Sequence, residues 1–145
     1  MGISSRFAVA IHILALLEQF KDEHTTSAFI AGSVNTNPVV IRRILGMLVK
    51  AGLVEVKAGV GGASLIKPLT DISLFDIYEA VSSIGEGDLF SVHEQSNPLC
   101  PVGGNIQIVL ENTLGKIQQT MELALKSVNM DDIMKDIRFQ KEKKQ

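Results

Sequence analysis

The chain of 145 residues has little of several residue types, with one cysteine, one tyrosine and no tryptophan. The single cysteine, Cys100, excludes a disulfide within the chain and fits a reducing compartment, so we expect the protein in the cytoplasm. The sequence also lacks an apolar run long enough to cross a membrane, and residues 1–7 lead into an amphipathic pattern that differs from a signal peptide. We therefore expect no membrane association.

Signatures of catalysis and of metal binding are absent from the sequence as well. The three histidines, His12, His24 and His93, have no metal-ligand spacing, and no zinc signature, paired carboxylates or Ser/His/Asp set occurs. We therefore expect no enzyme, no metal site and no cofactor. With 46% hydrophobic residues, the chain has enough apolar material for one globular domain.

Charge is distributed unevenly along the chain, although the net charge is only −2. Residues 1–70 carry seven Lys or Arg against four Asp or Glu, whereas residues 71–145 carry seven against twelve. A positive segment inside a weakly acidic protein favours a nucleic-acid contact in that segment. An imbalance of this size also fits random scatter, so it only supports a DNA-binding hypothesis.

Residues 26–65 have the pattern of a helix-turn-helix followed by a glycine-containing wing. Ala31 is small enough for two helices to cross, Asn35 tolerates the positive φ of the turn, and Ile41 is an apolar anchor in the second helix. The spacing predicts two helices, at residues 27–34 and 38–50.

The boundaries of the second helix and of the wing have their own signals. Pro38 suits the first turn of the helix, with Thr36 or Asn37 as its N-cap, and Gly52 ends it. Two short strands are expected at residues 53–57 and 63–66, because three glycines in the five residues between them suit a hairpin tip.

Outside this segment the periodicity predicts four further helices. Residues 5–20 have apolar side chains on two faces, so one face can meet the core and the other a later helix or a partner subunit. Ser73 and Asp76 have capping-box spacing and begin a helix that reaches about residue 83. A long helix from about residue 105 and a short helix at 131–137 follow, and we expect the remaining residues to form a frayed tail.

The long helix carries an apolar seam at steps of three and four residues, which is typical of helices that pair with a second copy. An ordinary core helix is the alternative, but a small winged domain offers little core for a helix of this length. The expected dimer interface consists of Ile106, Leu110, Leu114, Ile117, Met121 and Leu125.

The predicted fold class is mainly α with a small β-hairpin, as a winged helix-turn-helix plus a long dimerisation helix. A winged helix-turn-helix DNA-binding domain is expected over residues 1–84 and an irregular loop over 85–104. The dimerisation helix and the short C-terminal helix then occupy residues 105–145.

Arg42 and Arg43 are the strongest candidates for DNA contact, because an arginine near the start of a recognition helix can grip guanine or a phosphate. A solvated helix face is the alternative. Other side chains at the helix start also reach the groove, and the wing is expected to touch phosphate. The predicted DNA-binding residues are Thr36, Asn37, Val39, Arg42, Arg43, Lys57, Gly59, Gly61 and Gly62.

Five segments of the chain occur in a fairly specific order and spacing, and they read SRFAVAIHILALL, SAFIAGS, RRILGMLVKAGLV, AGVGGASL and DISLFDIYEAV. Together they resemble the IscR/NsrR family of bacterial winged-helix transcription regulators (the Rrf-two family) over about residues 3–137. The resemblance implies a homodimer with crossed long helices and paired wings on a near-palindromic operator. It also implies that Asn37, Val39 and Arg42 approach the bases.

The chain departs from this family pattern in two places. Many members have three cysteines in the loop before the long helix and hold an iron–sulfur cluster there, whereas this chain has only Cys100. Because such clusters need about four ligands, mostly thiolates, the chain resembles the cluster-free, YwnA-like branch. The family often has an arginine just before the first wing glycine, and Ala58 stands there in this chain, which argues against minor-groove contact by the wing.

Cys100 has two interpretations, a redox or thiol sensor and an inert thiol. The inert interpretation is favoured, because Pro98 and Pro101 lie beside it and nothing nearby in the sequence is expected to lower its pKa.

Two functions remain in competition. The first is a sequence-specific DNA-binding transcription regulator that acts as a dimeric repressor. The alternative is a winged-helix protein-interaction adaptor without DNA binding, which would fit the acidic balance and the missing wing arginine. For the first function the expected partners are double-stranded DNA, a second copy of the chain and a small-molecule or protein effector.

Overall fold

The computed structural model describes residues 2–57, 61–82, 90, 92 and 94–144. In chain order, the described elements are α1 Ile3–Gln19, α2 Ser27–Val34, α3 Pro38–Lys50, β1 Val54–Val56, β2 Ala63–Leu65, a 3₁₀ helix Leu69–Asp71, α4 Leu74–Val81, α5 Ile106–Lys126 and α6 Met130–Lys143. This confirms the predicted fold class, mainly α with a small β-hairpin. None of the described helices is long and apolar enough to cross a bilayer.

The turn between α2 and α3 forms as its residue types predict. Asn35 has φ 62° and ψ 51°, in the left-handed region that asparagine tolerates. At the start of α2, the hydroxyl oxygen of Thr26 accepts a hydrogen bond from the N–H of Phe29 at 3.1 Å. Of the two predicted caps of α3, Asn37 is the one used, and its Oδ1 accepts from the N–H of Val39 at 2.7 Å. Local hydrogen bonds therefore set the start of α3.

The wing is an antiparallel pair of β1 and β2, with Glu55 opposite Ser64 at its centre. Each strand has three residues, so both are shorter than predicted. The N–H of Ala63 donates to the carbonyl of Thr25 at 3.0 Å, which ties the second strand to the segment before α2. The hairpin tip, including the predicted contact Gly59, lies outside the described residues.

The core lies where α1, α2, α3 and α4 pack together, with the wing and α6 at its edges. Four aliphatic side chains of α3 point into it at helical spacing, as predicted. Burying a side chain of this kind contributes roughly 1.5–3 kcal/mol, so the packing of α3 determines which of its faces points outward. The largest fully buried side chains are Ile13, Leu14, Leu17, Ile30, Ile41, Ile44, Leu48, Leu53, Ile72, Ile77, Met130 and Met134.

The C-terminal helix α6 is longer than expected, and the prediction of a short helix followed by a frayed tail is wrong. The helix runs over Met130–Lys143. The side chains of Asn129 and Asp132 form a capping box at its start, and Met130 and Met134 are buried against the core. Two lysines in its last turn interact favourably with the negative end of the helix dipole. A helix that is capped and anchored in this way continues into the charged segment.

The long helix α5 meets the rest of the described chain along one side. It buries a single side chain, Gln118, whose Nε2 donates to the hydroxyl oxygen of Tyr78 in α4 at 3.3 Å. After α5 the chain returns to the core, where the N–H of Leu74 donates to the carbonyl of Val128 at 2.8 Å. The second apolar face of α1 contacts α6, so a later helix covers at least part of it. Of the predicted irregular loop, most of the first half lies outside the described residues.

Candidate DNA-binding surface

The outward face of α3 carries exposed side chains opposite its four buried ones. Val39, Arg42, Arg43, Gly46 and Lys50 are all exposed, and Val39 is 51% exposed. Three of these residues were predicted to contact DNA, and the structure brings them onto one continuous surface. Lys50 is absent from the predicted set, although its position four residues after Gly46 places it on the same helical face.

The cations of this surface have no carboxylate partner among the described residues. The ion pairs recorded in that part of the chain lie at the end of α1 and on α6. Arg42, Arg43, Lys50 and the wing's Lys57 can therefore pair with an anionic partner without first breaking an ion pair to a described carboxylate. Phosphate contacts by such cations supply most of the sequence-independent affinity for DNA.

The residues just before and at the start of α3 differ in how far their side chains are available to a partner. Thr36 is half-buried, and its N–H donates to the carbonyl of Ala31 at 3.0 Å. Asn37 is exposed, but its Oδ1 is occupied by the helix cap, so its Nδ2 is the atom left to donate to a partner. Within the predicted set, Asn37 and Val39 are thus better placed for a base contact than Thr36.

The wing glycines differ in their surroundings. Gly61 is exposed with φ 72°, whereas Gly62 is half-buried with φ 104°. A Cβ on Gly62 would lie 3.5 Å from the backbone nitrogen of Thr25, and the Gly62 carbonyl accepts from the N–H of Lys57 at 3.3 Å. Gly62 therefore has a structural reason to be glycine, and its predicted phosphate contact stays a prediction, as do those of Lys57 and Gly61.

The predicted dimer residues lie along one flank of Gln118 on α5. Ile117 is 47% exposed. The other five seam residues are partly buried, and they are Ile106, Leu110, Leu114, Met121 and Leu125. Exposed apolar side chains of α5 also occur outside the predicted seam, because Ile108 and Val109 are 56% and 52% exposed on other sides of the helix.

Cys100 lies exposed in a tight turn before α5. Its N–H donates to the carbonyl of Asn97 at 3.3 Å, and its own carbonyl accepts from the N–H of Gly104 at 2.8 Å. Hydrogen bonds from the backbone N–H groups of Gly103 and Val102 lower the pKa of the Cys100 thiol. This corrects the expectation that nothing nearby lowers its pKa, because backbone amides converge on the sulfur only once the turn has formed.

A helix-turn-helix with an exposed basic face on its second helix, followed by a hairpin, defines a winged helix-turn-helix protein. Residues 3–136 match the Rrf2 family, described as "Iron-dependent Transcriptional regulator". The chain therefore belongs to the Rrf2 family. It is a DNA-binding transcription regulator, as the sequence predicted.

Individual relatives agree with this family assignment. The chain is 51% identical over 132 residues to YwnA of Bacillus subtilis (strain 168), named as an HTH-type transcriptional regulator, and the match covers 91% of this chain and 96% of YwnA. A crystal structure described as that of a DNA binding protein has 47% identity and a TM-score of 0.72, covering 89% of this chain and 98% of that one. The global cysteine regulator CymR of B. subtilis, at 21% identity and TM-score 0.66, shares the fold and covers 93% of this chain and 97% of its own.

The family description names iron, but the described residues do not fit an iron site. Within the described ranges, no group of three or more His, Cys, Asp or Glu residues is placed to hold a metal ion. The sequence has one cysteine, and Cys100 sits in a turn where its sulfur meets backbone amides. Iron–sulfur clusters need several thiolates, so we assign no iron-dependent step to this chain.

Proposed function

We propose that the protein is a homodimeric repressor that reads double-stranded DNA with α3 of each copy. The observation that carries this proposal is the outward face of α3, where Arg42, Arg43 and Lys50 are exposed without a carboxylate partner among the described residues. A helix with such a face fits the major groove, which is about 12 Å wide.

Within this surface, Arg42 is assigned to a base edge and Arg43 to the phosphate backbone. An arginine can bond the O6 and N7 atoms of guanine together, which distinguishes that base from the others. A phosphate contact positions the protein and carries no sequence information. Val39 can meet a thymine methyl group, because its side chain is apolar and half exposed.

The geometry of α5 supports the homodimer. Gln118 meets Tyr78, and the Lys126 ammonium lies 4.6 Å from the ring centre of Phe75, so α4 covers the C-terminal part of α5. With 21 residues α5 is about 31 Å long, against about 12 Å for the eight residues of α4. The part of α5 before Gln118 therefore extends past α4, and its exposed apolar side chains include Ile108, Val109 and Ile117.

A second copy of α5 is the proposed cover for this surface. Apolar patches of this kind on a helix that extends from the core mark interaction sites, and a two-fold axis lets the same patch serve both copies. The dyad then presents two α3 helices to half-sites about 34–36 Å apart, or a multiple of that distance.

Repression is the proposed outcome, because a dimer that spans two half-sites excludes other proteins from more than one turn of DNA. We place the protein in the cytoplasm with its operator and propose a regulatory role instead of a catalytic one. A small-molecule or protein effector would set its affinity for that operator.

Selecting bound fragments from genomic DNA, followed by footprinting, tests the function. We expect protection of two half-sites with dyad symmetry, and an affinity whose logarithm falls linearly with the logarithm of the salt concentration. A reporter gene behind the selected operator should be expressed less when the protein is present. Footprints without dyad symmetry contradict the proposal, and so does increased reporter expression. Failure to enrich any fragment, together with no retention on heparin at low salt, favours the adaptor alternative.

A further inference from the structure

A cavity of about 460 Å³ lies between α3 and the wing. Its walls come from the segment that begins α2, from the side of α3 that faces the wing, and from both wing strands. The volume falls within the range of sites that bind small molecules, roughly 300–1,000 Å³. The cavity lies beside the surface proposed to contact DNA. The proposed DNA contacts do not account for the apolar residues that line it.

The walls of this cavity are mostly apolar. Leu45 and Ala63 form a buried floor, at 6% and 8% exposure. Val49 and Val56 are 41% and 51% exposed and line its sides. Val49 of α3 and Val56 of β1 therefore present exposed apolar surface that the apolar part of a ligand can bury.

Gly46 explains why the space exists. It lies on the cavity side of α3, and a Cβ built there would meet no atom within 4 Å. Most other residues at this position would direct a side chain into the cavity. Thr25 also lines the cavity. Its hydroxyl donates to the carbonyl of Phe20 at 3.3 Å, so this buried group has a hydrogen-bond partner without a ligand.

Arg42 supplies the charge at this cavity. It is the one charged residue among the described residues that line the space, and it has no carboxylate partner in the described part of the chain. A guanidinium group pairs with a carboxylate through two parallel hydrogen bonds. The combination of apolar walls and a single cation selects a ligand with an apolar body and one anionic group.

We infer that the cavity between α3 and the wing binds a small apolar carboxylate, and that this ligand displaces DNA. The regulatory half of this inference rests on the proposed role of Arg42 in DNA contact. Its guanidinium cannot bond a ligand carboxylate and a base edge at the same time. Ligand and DNA then lower each other's affinity by the same factor, as thermodynamic linkage requires.

The cavity can be tested in the absence of DNA, with sodium octanoate as the probe and valine-methyl NMR of the full chain as the readout. We expect saturable shifts at Val49 and Val56, and much smaller shifts at Val39, which is exposed on the same helix but does not line the cavity. 1-Octanol has the same apolar chain without the charge and should bind at least tenfold more weakly. Equal shifts at all three valines, or equal affinity for octanol, would overturn the site.

Three variants sharpen this test. Arg42→Gln should weaken octanoate binding at least tenfold, and Gly46→Leu should abolish it by filling the space. Gly32→Leu is the matched control, because Gly32 is also an exposed helical glycine with no atom within 4 Å of a built Cβ, and it does not line the cavity. Octanoate affinity that is unchanged in Arg42→Gln contradicts the inference even if Gly46→Leu fails to fold.

The regulatory half is tested by fluorescence anisotropy of a selected operator duplex at constant ionic strength. Octanoate at saturation should weaken operator binding at least fivefold, and saturating operator should weaken octanoate binding by the same factor. Unchanged operator affinity in saturating octanoate contradicts displacement. A protein that binds octanoate at Val49 and Val56 but binds no DNA supports the cavity and contradicts the proposed function.

Discussion

Between α1 and α4 a core of aliphatic side chains is shielded from water, and Ile13, Ile41 and Leu48 each have 0% exposure. In α5, by contrast, 21 residues bury one side chain, and that side chain, Gln118, is polar. Several aliphatic side chains of α5 are exposed to solvent, as Leu123 is at 67% exposure. Aliphatic side chains therefore stabilise the region from α1 to α4 by packing within one chain. Those of α5 become buried only when another surface packs against that helix.

The two regions differ because of what surrounds each helix. Among the described helices and strands, each helix from α1 to α4 packs against at least two neighbours, while α5 packs chiefly against α4. A helix with one such neighbour keeps much of its circumference in water. An apolar side chain on that circumference contributes to stability only when the helix associates, so the contrast can be tested by mutation.

The largest expected difference is in the free energy of unfolding, when a leucine is replaced by alanine in each region. Leu48→Ala empties a fully buried site and should lower the free energy of unfolding by about 2–5 kcal/mol. Leu123→Ala makes the same change on the exposed surface of α5 and should alter it by no more than about 0.5 kcal/mol. Urea unfolding at one fixed protein concentration measures both. Equal losses for the two variants would remove the contrast.

The second test asks whether α5 is the dimer helix. Ile117→Asp places a charge within the apolar seam and should convert the wild-type dimer into a monomer at micromolar concentration, halving the mass measured by light scattering. Gln119→Glu is the matched control, since Gln119 is an exposed polar residue of α5 that lies after Gln118 and off the seam, and it should remain dimeric. A monomeric wild type, or dissociation of both variants, contradicts the assignment.

The third test separates two arginines on the exposed face of α3. Arg42→Ala should cost roughly 1–3 kcal/mol of operator binding and relax specificity at one base position. Arg43→Ala should weaken the operator and a scrambled duplex by similar factors, because a phosphate contact is independent of sequence. Anisotropy titrations with both duplexes give the four affinities. Two variants that bind as tightly as the wild type would show that the basic face of α3 is not the DNA surface.

The smallest effect is expected at Cys100, outside both regions. Since the backbone amides of Gly103 and Val102 hold the pKa of this thiol below its ordinary value, more thiolate is present at neutral pH than in an unstructured cysteine. The rate of iodoacetamide alkylation should therefore reach its half-maximum at lower pH in the folded protein than in urea. Identical pH profiles in both conditions would contradict this, and Cys100→Ser should bind the operator as tightly as the wild type under reducing conditions.

The parts of the fold and of the candidate site that were predicted correctly depend on interactions between residues a few positions apart. Asn35 sets the turn, Asn37 caps α3, Gly52 follows its end with φ 77°, and Ser73 begins α4 with a capping box. Each of these features depends either on the backbone preference of one residue type or on a hydrogen bond between residues that are close in the sequence. The exposed face of α3 was predictable for a related reason, since its four buried residues recur at the period of a helix.

The sequence by itself thus determined the helix-turn-helix, the outward position of Arg42 and Arg43 and the apolar character of α5. Only the tertiary structure decided how far α6 extends, because its anchors Met130 and Met134 are buried by elements distant in the chain. It also decided that the amides near Cys100 converge on the sulfur and that an open cavity lies between α3 and the wing. These features arise from distances between atoms of different segments, which residue types and spacing do not specify until the chain has packed.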